Sequence, residues 1–386
     1  MGDQAFSLHR WESEFSLDPA LLYLNHAAVA PWPRRTAAAV AEFAKENATR
    51  GATDYPRWLG TELRLKQQLA NLLNAPSIDD VALVKNTSEA LSFVAAGLPW
   101  KTGDRIVTSD EEFPSNRIVW EALATKFGVE VVRVTLAGQE DPEAALIAAC
   151  NERTQLLAIS SVQYASGLRL DLQRLGQFCS EADIWFCVDA IQSVGAVTFD
   201  VTASQIDFAM ADGHKWLLGP EGLGFFYTTP AARNALSLFE YGWHMVEHVG
   251  DYDRLDWTPA RSARRFECGS PNMVGTYGLA ASVKLLLEFG IENIARTNIE
   301  NSLYLIDILE TTPKVKAISR KNPSALAGIV TFKIEGVDHG KLRERLQQRG
   351  LVCAYRGGGI RFSPDFYQGK EMLDRAVRLL AEEAGL

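Results

Sequence analysis

Short runs of apolar, strand-forming residues alternate with helical patterns between residues 81 and 229. The runs read VALVK, DRIVTS, VEVVRVTL, QLLAISSV, IWFCVDA, DFAMA and GLGFFYTT, and the first four are followed by helical segments such as TSEALSFVAAGL. Apolar strands that are joined by helices form a mostly parallel, doubly wound sheet, because helices cover both of its faces. We therefore predict an α/β fold in which ligands bind beyond the carboxyl ends of the strands.

The pattern changes after about residue 250, where a loop-rich stretch at 251–272 leads into a long helical region at roughly 273–311. After it come the strand-like AGIVTFKIEG, a short helix, GLVCAYRGGGIRFSPDFY and a final helix. This order predicts a smaller α+β domain over residues 251–386 that follows a large domain over residues 21–250. Residues 1–20 could pack on either domain.

Composition excludes several classes of function. The net charge of −9, without a Lys/Arg-rich run, gives no general attraction to phosphate backbones, so no nucleic-acid partner is expected. No stretch approaches the ~18 uncharged apolar residues of a membrane helix, so no membrane insertion is expected. The five cysteines are widely spaced and odd in number, which indicates reduced thiols and a cytoplasmic location.

Polar residues follow two strands that are close together in the predicted sheet. Asp189 ends the IWFCV run, and the stretch from Asp212 to Lys215 follows DFAMA. Burial next to Trp216 would lower the ordinary lysine pKa of about 10.4 and favour Schiff-base chemistry. Pyridoxal phosphate is the cofactor that such a lysine serves, and Asp189 is the candidate to hold its protonated ring nitrogen. Alternatively, Asp189 simply caps the next turn.

A phosphate site is predicted at the helix start in VKNTSEAL. Asn86 as N-cap and Glu89 three residues later resemble a capping box, and Thr87 and Ser88 present hydroxyl and backbone N–H groups there. An ordinary helix cap would have the same pattern. Phe113, in the proline-containing loop DEEFPSN, has no periodic core position and is a candidate to stack on a planar ring.

Taken in order, these residues resemble the class V aminotransferase family of fold-type I pyridoxal phosphate enzymes. That family includes cysteine desulfurases, selenocysteine lyase, kynureninase and isopenicillin N epimerase. The resemblance covers nearly the whole chain and rests on eight motifs: YLNHAAVAP, NTSEAL, EFPSN, SSVQYASGLRLDL, VDAIQSVG, DGHKWLLGPEGLGFFY, RRFECGSPN and GGGIRFS.

The resemblance implies a pyridoxal phosphate enzyme that works as a homodimer with shared active sites. Lys215 would form the Schiff base with the cofactor and later move the α-proton of the substrate. Asp189 would bind the pyridinium nitrogen, and Gln192 would donate to the phenolic oxygen of the ring, with Gln163 beside the same oxygen. A cofactor of this kind needs no metal, and none is expected.

The resemblance also implies the contacts to the phosphate and to the ring face. Thr87, Ser88 and His214 would contact the phosphate. Ser270 would reach the phosphate of the neighbouring subunit's cofactor. Phe113 takes the stacking position.

The substrate side is assigned to three residues by the same resemblance. Arg361 would grip the substrate carboxylate with its bidentate fork, and Asn25 and His26 would line the pocket beside it. The implied reaction takes place at the α-carbon of an amino acid. We favour an aminotransferase or a C–S lyase, with a cysteine desulfurase or an amino-acid epimerase of the same family as alternatives.

Two positions depart from the pattern of cysteine desulfurases. Asp212 stands where those enzymes carry a serine on the phosphate, and an acid cannot serve that role. They also carry a mobile cysteine loop before the final Arg-x-Ser, whereas this chain has only AYRGGG between Cys353 and Arg361. Cys353 lies in a strand-like run that is typical of a buried cysteine, so persulfide transfer by that route is not expected.

A different class of function is suggested by WHMVEH, which places His244, Glu247 and His248 in the H-x-x-E-H spacing of inverted zinc peptidases. Gly242 and Gly250 bracket this stretch, and no further ligand segment follows it, so a loop on the substrate side or a domain hinge is the favoured interpretation. A non-catalytic binding protein that keeps the fold is the remaining alternative.

Overall fold

The structure is a computed structural model that describes residues 11–386, apart from the side chain of Glu12. The strands, numbered in chain order, are β1 (Leu22–Tyr23), β2 (Val81–Val84), β3 (Arg105–Ser109), β4 (Glu130–Val134), β5 (Thr154–Ser160), β6 (Trp185–Asp189), β7 (Phe208–Asp212), β8 (Gly224–Thr228), β9 (Val315–Ala317), β10 (Val330–Ile334), β11 (Leu351–Val352), β12 (Ala354–Arg356) and β13 (Gly359–Phe362).

The helices are numbered in the same way. They are α1 (Arg34–Arg50), α2 (Tyr55–Leu73), α3 (Thr87–Gly97), α4 (Ser115–Phe127), α5 (Pro142–Ala149), α6 (Leu172–Glu181), α7 (Pro230–Ala235), α8 (Met273–Phe289), α9 (Ile291–Glu310), α10 (His339–Gln348) and α11 (Lys370–Ala384).

A seven-stranded sheet with the order β2-β8-β7-β6-β5-β3-β4 forms the centre of the molecule. The pairs from β7 through β4 are parallel, and β8 is antiparallel to both of its neighbours. Each of the seven predicted runs overlaps one of these strands, so the predicted α/β fold with a mostly parallel sheet is confirmed. Because β6 and β7 are paired neighbours, Asp189 and Asp212 end adjacent strands at the same edge.

Both faces of this sheet are covered, as its continuous apolar runs predict. In β8, consecutive aromatic side chains point to opposite faces: Phe225 belongs to one hydrophobic cluster and Phe226 to another. All five residues of β7 and of β8 are buried. Alternate side chains of a strand point to opposite faces, and so a strand that is buried on both sides is apolar along its length; the polar Asp212 and Thr228 stand at the strand ends.

A second, smaller sheet is antiparallel, with the order β12-β13-β10-β9, and it shares a core with α9, α10 and α11. The two-residue strand β1 pairs in parallel with β11, which ties the start of the large domain to this part of the chain. The predicted α+β arrangement of the C-terminal region is thus present.

The predicted domain division at residue 250 does not match the packing of α8. This helix packs against α1 and α2, and its Leu279 and Leu286 share a hydrophobic cluster with the large sheet. The long helical region predicted at 273–311 is broken at Gly290, where φ is +90°. Helix α8 therefore packs with the large sheet, and the division of the chain into two domains stays a prediction.

The described part of the N-terminal segment contacts both domains. Trp11 packs against Phe289 of α8, with 5.3 Å between ring centroids, and Phe15 stacks on Tyr367 with 3.6 Å between centroids. Residues 1–10 of the predicted N-terminal segment lie outside the described residues.

All five cysteines are free thiols. Across residues 11–386, no single helix combines the length and the apolar composition of a membrane span, and only α8 and α9 together, bent by 82°, pass that test. The cytoplasmic location stays a prediction.

Candidate active site

A cavity of about 240 Å³ opens at the carboxyl end of β6 and β7. Three larger cavities, of about 590, 420 and 390 Å³, lie elsewhere among residues 11–386. We place the chemistry in the smaller cavity because it collects most of the residues that the sequence singled out. The predicted site residues that line it are Thr87, Ser88, Phe113, Asp189, Gln192, His214, Lys215 and Arg361.

Lys215 lies in the turn that follows β7. Its backbone carbonyl accepts from Leu218 N at 2.9 Å, and the N–H of Gly219 returns to the carbonyl of Gly213 at 2.8 Å, so the turn is tightly closed. The side chain is 9% exposed. Burial lowers the pKa of Lys215 to about 8, opposed by the nearby Asp189 carboxylate. With this pKa, about a tenth of the amine is neutral at pH 7 and about half at pH 8, far more than for an ordinary lysine, and a nucleophile or a base requires this neutral form.

Asp189 is the last residue of β6 and is almost completely buried. One carboxylate oxygen, Oδ1, accepts from the backbone N–H of Ile191 at 3.1 Å. Burial raises the pKa of Asp189 to about 7, and the N–H group of Ile191 and the charge of Lys215 oppose the shift. These two groups therefore offset the cost of burying the charged carboxylate only in part. A further cationic donor, such as a protonated ring nitrogen, would stabilise the charge more fully.

The start of α3 forms a site for an anion at the edge of the same cavity. Asn86 caps the helix by accepting from Glu89 N at 3.0 Å. Glu89 accepts from the N–H of Lys85 rather than from that of Asn86, so the predicted capping box is shifted by one residue. Thr87 is buried, and its Oγ1 has no hydrogen-bond partner in the described residues. A buried hydroxyl without a partner at a helix N-terminus suits a phosphate oxygen.

Ser88, His214 and Asp212 complete this side of the cavity. The Ser88 hydroxyl hydrogen-bonds to Ser115 Oγ at 2.8 Å. His214 Nδ1 lies 3.1 Å from Asp212 Oδ1, which is a distance typical of an ion pair, although the angles do not satisfy a hydrogen bond. The carboxylate of Asp212, which replaces the serine of cysteine desulfurases, therefore lies next to the imidazole of His214.

Gln192 is held in one amide orientation by its neighbours. The indole N–H of Trp216 can only donate, and it donates to Gln192 Oε1 at 2.8 Å. Gln192 Nε2 donates to the carbonyl of Ala27 at 3.0 Å. One N–H of this amide is left for a ligand, consistent with the predicted donation to a phenolic oxygen.

Phe113 and Tyr164 form an aromatic wall on another side of the cavity. Their rings meet edge to face with 5.2 Å between centroids, and Lys215 Nζ lies 5.6 Å from the centroid of Phe113. Phe113 is 41% exposed, which leaves surface of the ring open to a ligand.

Arg361 enters the cavity from β13 of the smaller domain. It is 2% exposed, and one guanidinium nitrogen donates to the carbonyl of Tyr164 at 2.7 Å. Its Nε is buried without a partner in the described residues. Burial lowers the pKa of Arg361 to about 10, so the group stays charged at neutral pH and can bind a carboxylate.

Two expected substrate residues lie outside the cavity lining. Both ring nitrogens of His26 have partners, the Ser363 carbonyl at 2.8 Å and the Tyr367 hydroxyl at 2.6 Å. Burial lowers the pKa of His26 to about 4, so this ring is neutral and joins the two domains. Asn25 forms a backbone bridge with Ser363, and its buried Oδ1 has no partner in the described residues. Both polar atoms of the His26 ring are therefore already used within the chain, and the assignment of His26 to the substrate side stays a prediction.

Gln163 is also outside the lining, although it was expected beside the phenolic oxygen. It is fully buried, and its amide donates to Glu112 Oε1 at 3.0 Å. The amide instead holds Glu112, which also accepts from the N–H of Ser160 at 2.9 Å. These contacts support the loop that carries Phe113.

Ser270 is exposed and lines a different cavity of its own chain, together with Lys85 and His244. A role on the cofactor of a neighbouring subunit stays a prediction.

The zinc-peptidase interpretation of WHMVEH is wrong in its geometry. The stretch consists of turns and a bridge, so the two histidines do not share a helical face: His244 is buried and His248 is exposed. Glu247 accepts from the N–H of Arg261 at 2.9 Å. His244 does approach Glu62 and Glu267, but the Lys66 ammonium lies 2.6 Å from Glu267 Oε1 and supplies a cation there.

Several lining residues were not found from the sequence, notably Ala28, Ser115, Tyr164 and Arg356. Tyr164 follows Gln163 in the quoted motif, and Arg356 precedes the glycines of GGGIRFS. The sequence indicated them only through their closeness to these motifs, because the fold brings their segments together from distant parts of the chain.

Gly195 explains how the segments that carry Asp189 and Lys215 fit together. Its φ is +95°, and a Cβ at this position would lie 2.2 Å from the carbonyl oxygen of Trp216. The change Gly195→Ala must therefore displace the turn next to Lys215. We expect a loss of about 2–5 kcal/mol in the free energy of unfolding, measured by urea denaturation.

The matched control is Gly250→Ala, which has the same φ of +95° but nothing within 4 Å of the added methyl group. It should cost only the backbone strain of about 1–2 kcal/mol. Equal losses in the two variants would contradict the steric argument.

Comparison with known proteins places the chain in a family. The family model described as "Aminotransferase class-V" matches residues 22–360. A probable cysteine desulfurase of Methanothermobacter thermautotrophicus is 29% identical over 388 aligned positions, covering 95% of each chain. Isopenicillin N epimerase of Streptomyces clavuligerus is 28% identical over 381 positions, which cover 94% of this chain and 95% of the epimerase.

Solved structures share the fold. The cysteine desulfurase CsdA of Escherichia coli has a TM-score of 0.87 at 24% identity, with 98% of this chain and 99% of CsdA covered. The cystine C–S lyase C-DES, solved with its product cysteine persulfide, has a TM-score of 0.86 at 22% identity, with 93% and 97% covered. The chain belongs to the class-V aminotransferase family of pyridoxal-phosphate-dependent enzymes.

Proposed function

We propose that the protein is a C–S lyase that acts at the α-carbon of a sulfur amino acid and releases the sulfur group without passing it to a cysteine of its own. The carrying observation is the placement of the cysteines. All five lie in the described part of the chain, and none lines the cavity that holds Lys215. Burial raises the pKa of Cys353 to about 12, so its thiol is a poor sulfur acceptor.

The cavity suits pyridoxal phosphate on three separate observations. Thr87 offers a buried hydroxyl without a partner at a helix start, Asp189 offers a buried carboxylate of raised pKa, and Lys215 offers an amine of lowered pKa. When bound, this cofactor supplies an aldehyde that condenses with amines and a ring that withdraws electrons from the α-carbon.

Three residues of the chain then bind the substrate, move its α-proton and hold the cofactor ring. Arg361 holds the substrate carboxylate through its buried, unpartnered Nε and orients the α-carbon. Lys215 Nζ removes the α-proton, for which its pKa of about 8 is well matched at neutral pH. The buried Asp189 carboxylate would hold the ring nitrogen of the bound cofactor and favour its protonated form.

Relatives with other reactions supply the competing outcomes. The curated relatives are named as cysteine desulfurases and as an isopenicillin N epimerase, and transamination is the remaining possibility for this family. A product survey of the cofactor-loaded protein with cysteine, cystine and other amino acids separates them. A lyase forms pyruvate, ammonia and a sulfur product without an added keto acid. Formation of a keto acid only with an acceptor, or of the opposite enantiomer alone, would contradict the proposal.

Thr87→Val tests the phosphate end of the site. The substitution keeps the shape of the side chain and removes the hydroxyl without a partner, so the dissociation constant for pyridoxal phosphate should rise by about 10- to 100-fold. The measurement is a titration of the cofactor-free protein, followed by absorbance.

Thr108→Val is the matched control, since Thr108 on β3 is equally buried, its hydroxyl is likewise without a partner in the described residues, and it does not line the cavity. It should leave the dissociation constant unchanged. An equal rise of the dissociation constant in both variants would show a general effect on folding rather than the loss of a phosphate contact.

We also propose a homodimer in which Ser270 reaches the partner's cofactor, supported by its exposed position outside the cavity of its own chain. Light scattering of the cofactor-loaded protein gives the mass; a monomer would contradict this proposal.

A further inference from the structure

Two arginines lie on the same face of the β12–β13 hairpin. Arg356 pairs across the hairpin with Gly359, and Ala354 pairs with Arg361. Directly opposed residues of an antiparallel pair share a face, as do residues two apart on one strand. Arg356 and Arg361 are therefore diagonal neighbours, with backbone positions roughly 7–8 Å apart.

The turn of this hairpin fixes that arrangement. Gly357 and Gly358 form a two-residue connection with φ of +58° and +72°. Positive φ at both positions is the requirement of a type I′ turn, which sets the register of the two strands. The glycines between the two arginines thus hold Arg356 at the rim of the cavity that Arg361 enters.

The two guanidinium groups have different surroundings. Arg361 is buried and donates to the carbonyl of Tyr164. Arg356 is exposed, and among residues 11–386 its guanidinium donates only to the carbonyl of its neighbour Tyr355, at 2.8 Å. Within residues 11–386, no carboxylate lies within ion-pair distance of Arg356. Both arginines line the same cavity.

The charges in the cavity leave Arg356 without an assigned partner. The lining carries the cations Lys215, Arg356 and Arg361 against the carboxylates Asp189 and Asp212. Asp189 and Lys215 act on the cofactor, and Asp212 faces His214. The α-carboxylate of an amino acid needs only one arginine. The guanidinium of Arg356 is therefore free to bind a second negative group of the substrate.

We propose that Arg356 determines specificity by binding a second anionic group at the far end of the substrate side chain. The substrate class is then an amino acid with a distal carboxylate, of which cystine is a sulfur-containing example. This inference rests on the proposed function in one respect, which is that Arg361 holds the α-carboxylate in this cavity.

The test uses pairs of ligands that differ in charge but scarcely in shape. S-carboxymethyl-L-cysteine is compared with S-carbamoylmethyl-L-cysteine, and L-glutamate with L-glutamine. Dissociation constants are obtained from the cofactor absorbance of the loaded protein, so no turnover is required. We expect the charged member of each pair to bind at least about 10-fold more tightly than the neutral one.

Arg356→Gln should reduce this preference to nearly one and leave the affinity for the neutral ligands within about 2-fold. Arg356→Lys should keep part of it, since the charge remains but the planar fork is lost. Lys333→Gln is the matched control, because Lys333 lies beside the hairpin tip, near Gly358, but does not line the cavity. It should leave the preference unchanged.

Three outcomes separate the possible failures. An unchanged preference in Arg356→Gln overturns the inference while the proposed lyase stands. Weaker cofactor binding with an unchanged preference overturns it too, and would assign Arg356 to the cofactor phosphate. A preference that depends on Arg356 in a protein that releases no sulfur product from any amino acid supports the inference and contradicts the proposed reaction.

Discussion

Replacing Lys215 by alanine is expected to lower kcat/KM by at least about 10³-fold, because one residue supplies both the amine that binds the cofactor and the base for the α-proton. Lys215 is buried in a turn between Gly213 and Gly219, and no other lysine lines the cavity. The measurement is initial rates with the amino acid that the product survey identifies.

Lys284→Ala is the control for the loss of a lysine. Lys284 lies on α8 with 66% of its side chain exposed, and its one ion-pair partner among the described residues is Glu288. This variant should keep full activity. A Lys215→Ala protein that remained within 10-fold of the wild type would mean that another base removes the proton.

Asp189→Asn is expected to have the second-largest effect, a loss of about 10²–10⁴-fold in kcat/KM with little change in fold. The amide is nearly the same size as the carboxylate, but it cannot balance a positive charge on the ring nitrogen in a buried site. The electron-withdrawing power of the ring would fall as a result. Rates are compared together with circular dichroism, which should show an unchanged secondary structure.

Asp207→Asn is a matched control. Asp207 precedes β7 at the opposite end of the sheet, and burial raises its pKa to about 6, as burial also does for Asp189. Its carboxylate accepts from the N–H of Phe186 and does not line the cavity. A change there can reduce stability but should leave kcat/KM within a few-fold. Equal losses of activity in the two variants would contradict a specific role for Asp189.

The sheet could be predicted because its strands are short, apolar throughout and separated by helical segments. Few folds other than a parallel, doubly wound sheet are compatible with that pattern. The same fold predicts that Asp189 and Lys215 lie together at the carboxyl edge of the sheet. Thr87 was predicted from a capping pattern, which local sequence encodes. These features depend on residues that are close in the chain or on neighbouring strands.

The features that were missed depend on contacts between distant segments. The sequence did not predict that Ser363 and Tyr367 hydrogen-bond to both ring nitrogens of His26, whose place on the substrate side stays a prediction. The position of α8 follows from its packing on α1 and α2, which no periodicity in α8 itself reveals. Arg356 reaches the cavity because the hairpin places it on the same face as Arg361.

The central claim is that Lys215 binds pyridoxal phosphate covalently. Borohydride treatment of the cofactor-loaded protein, followed by digestion and mass spectrometry, tests it directly. The account predicts that the added cofactor mass lies on the peptide containing Lys215, and that Lys215→Ala carries no such mass. Labelling of another lysine, or a protein that cannot be loaded with the cofactor at all, would contradict it.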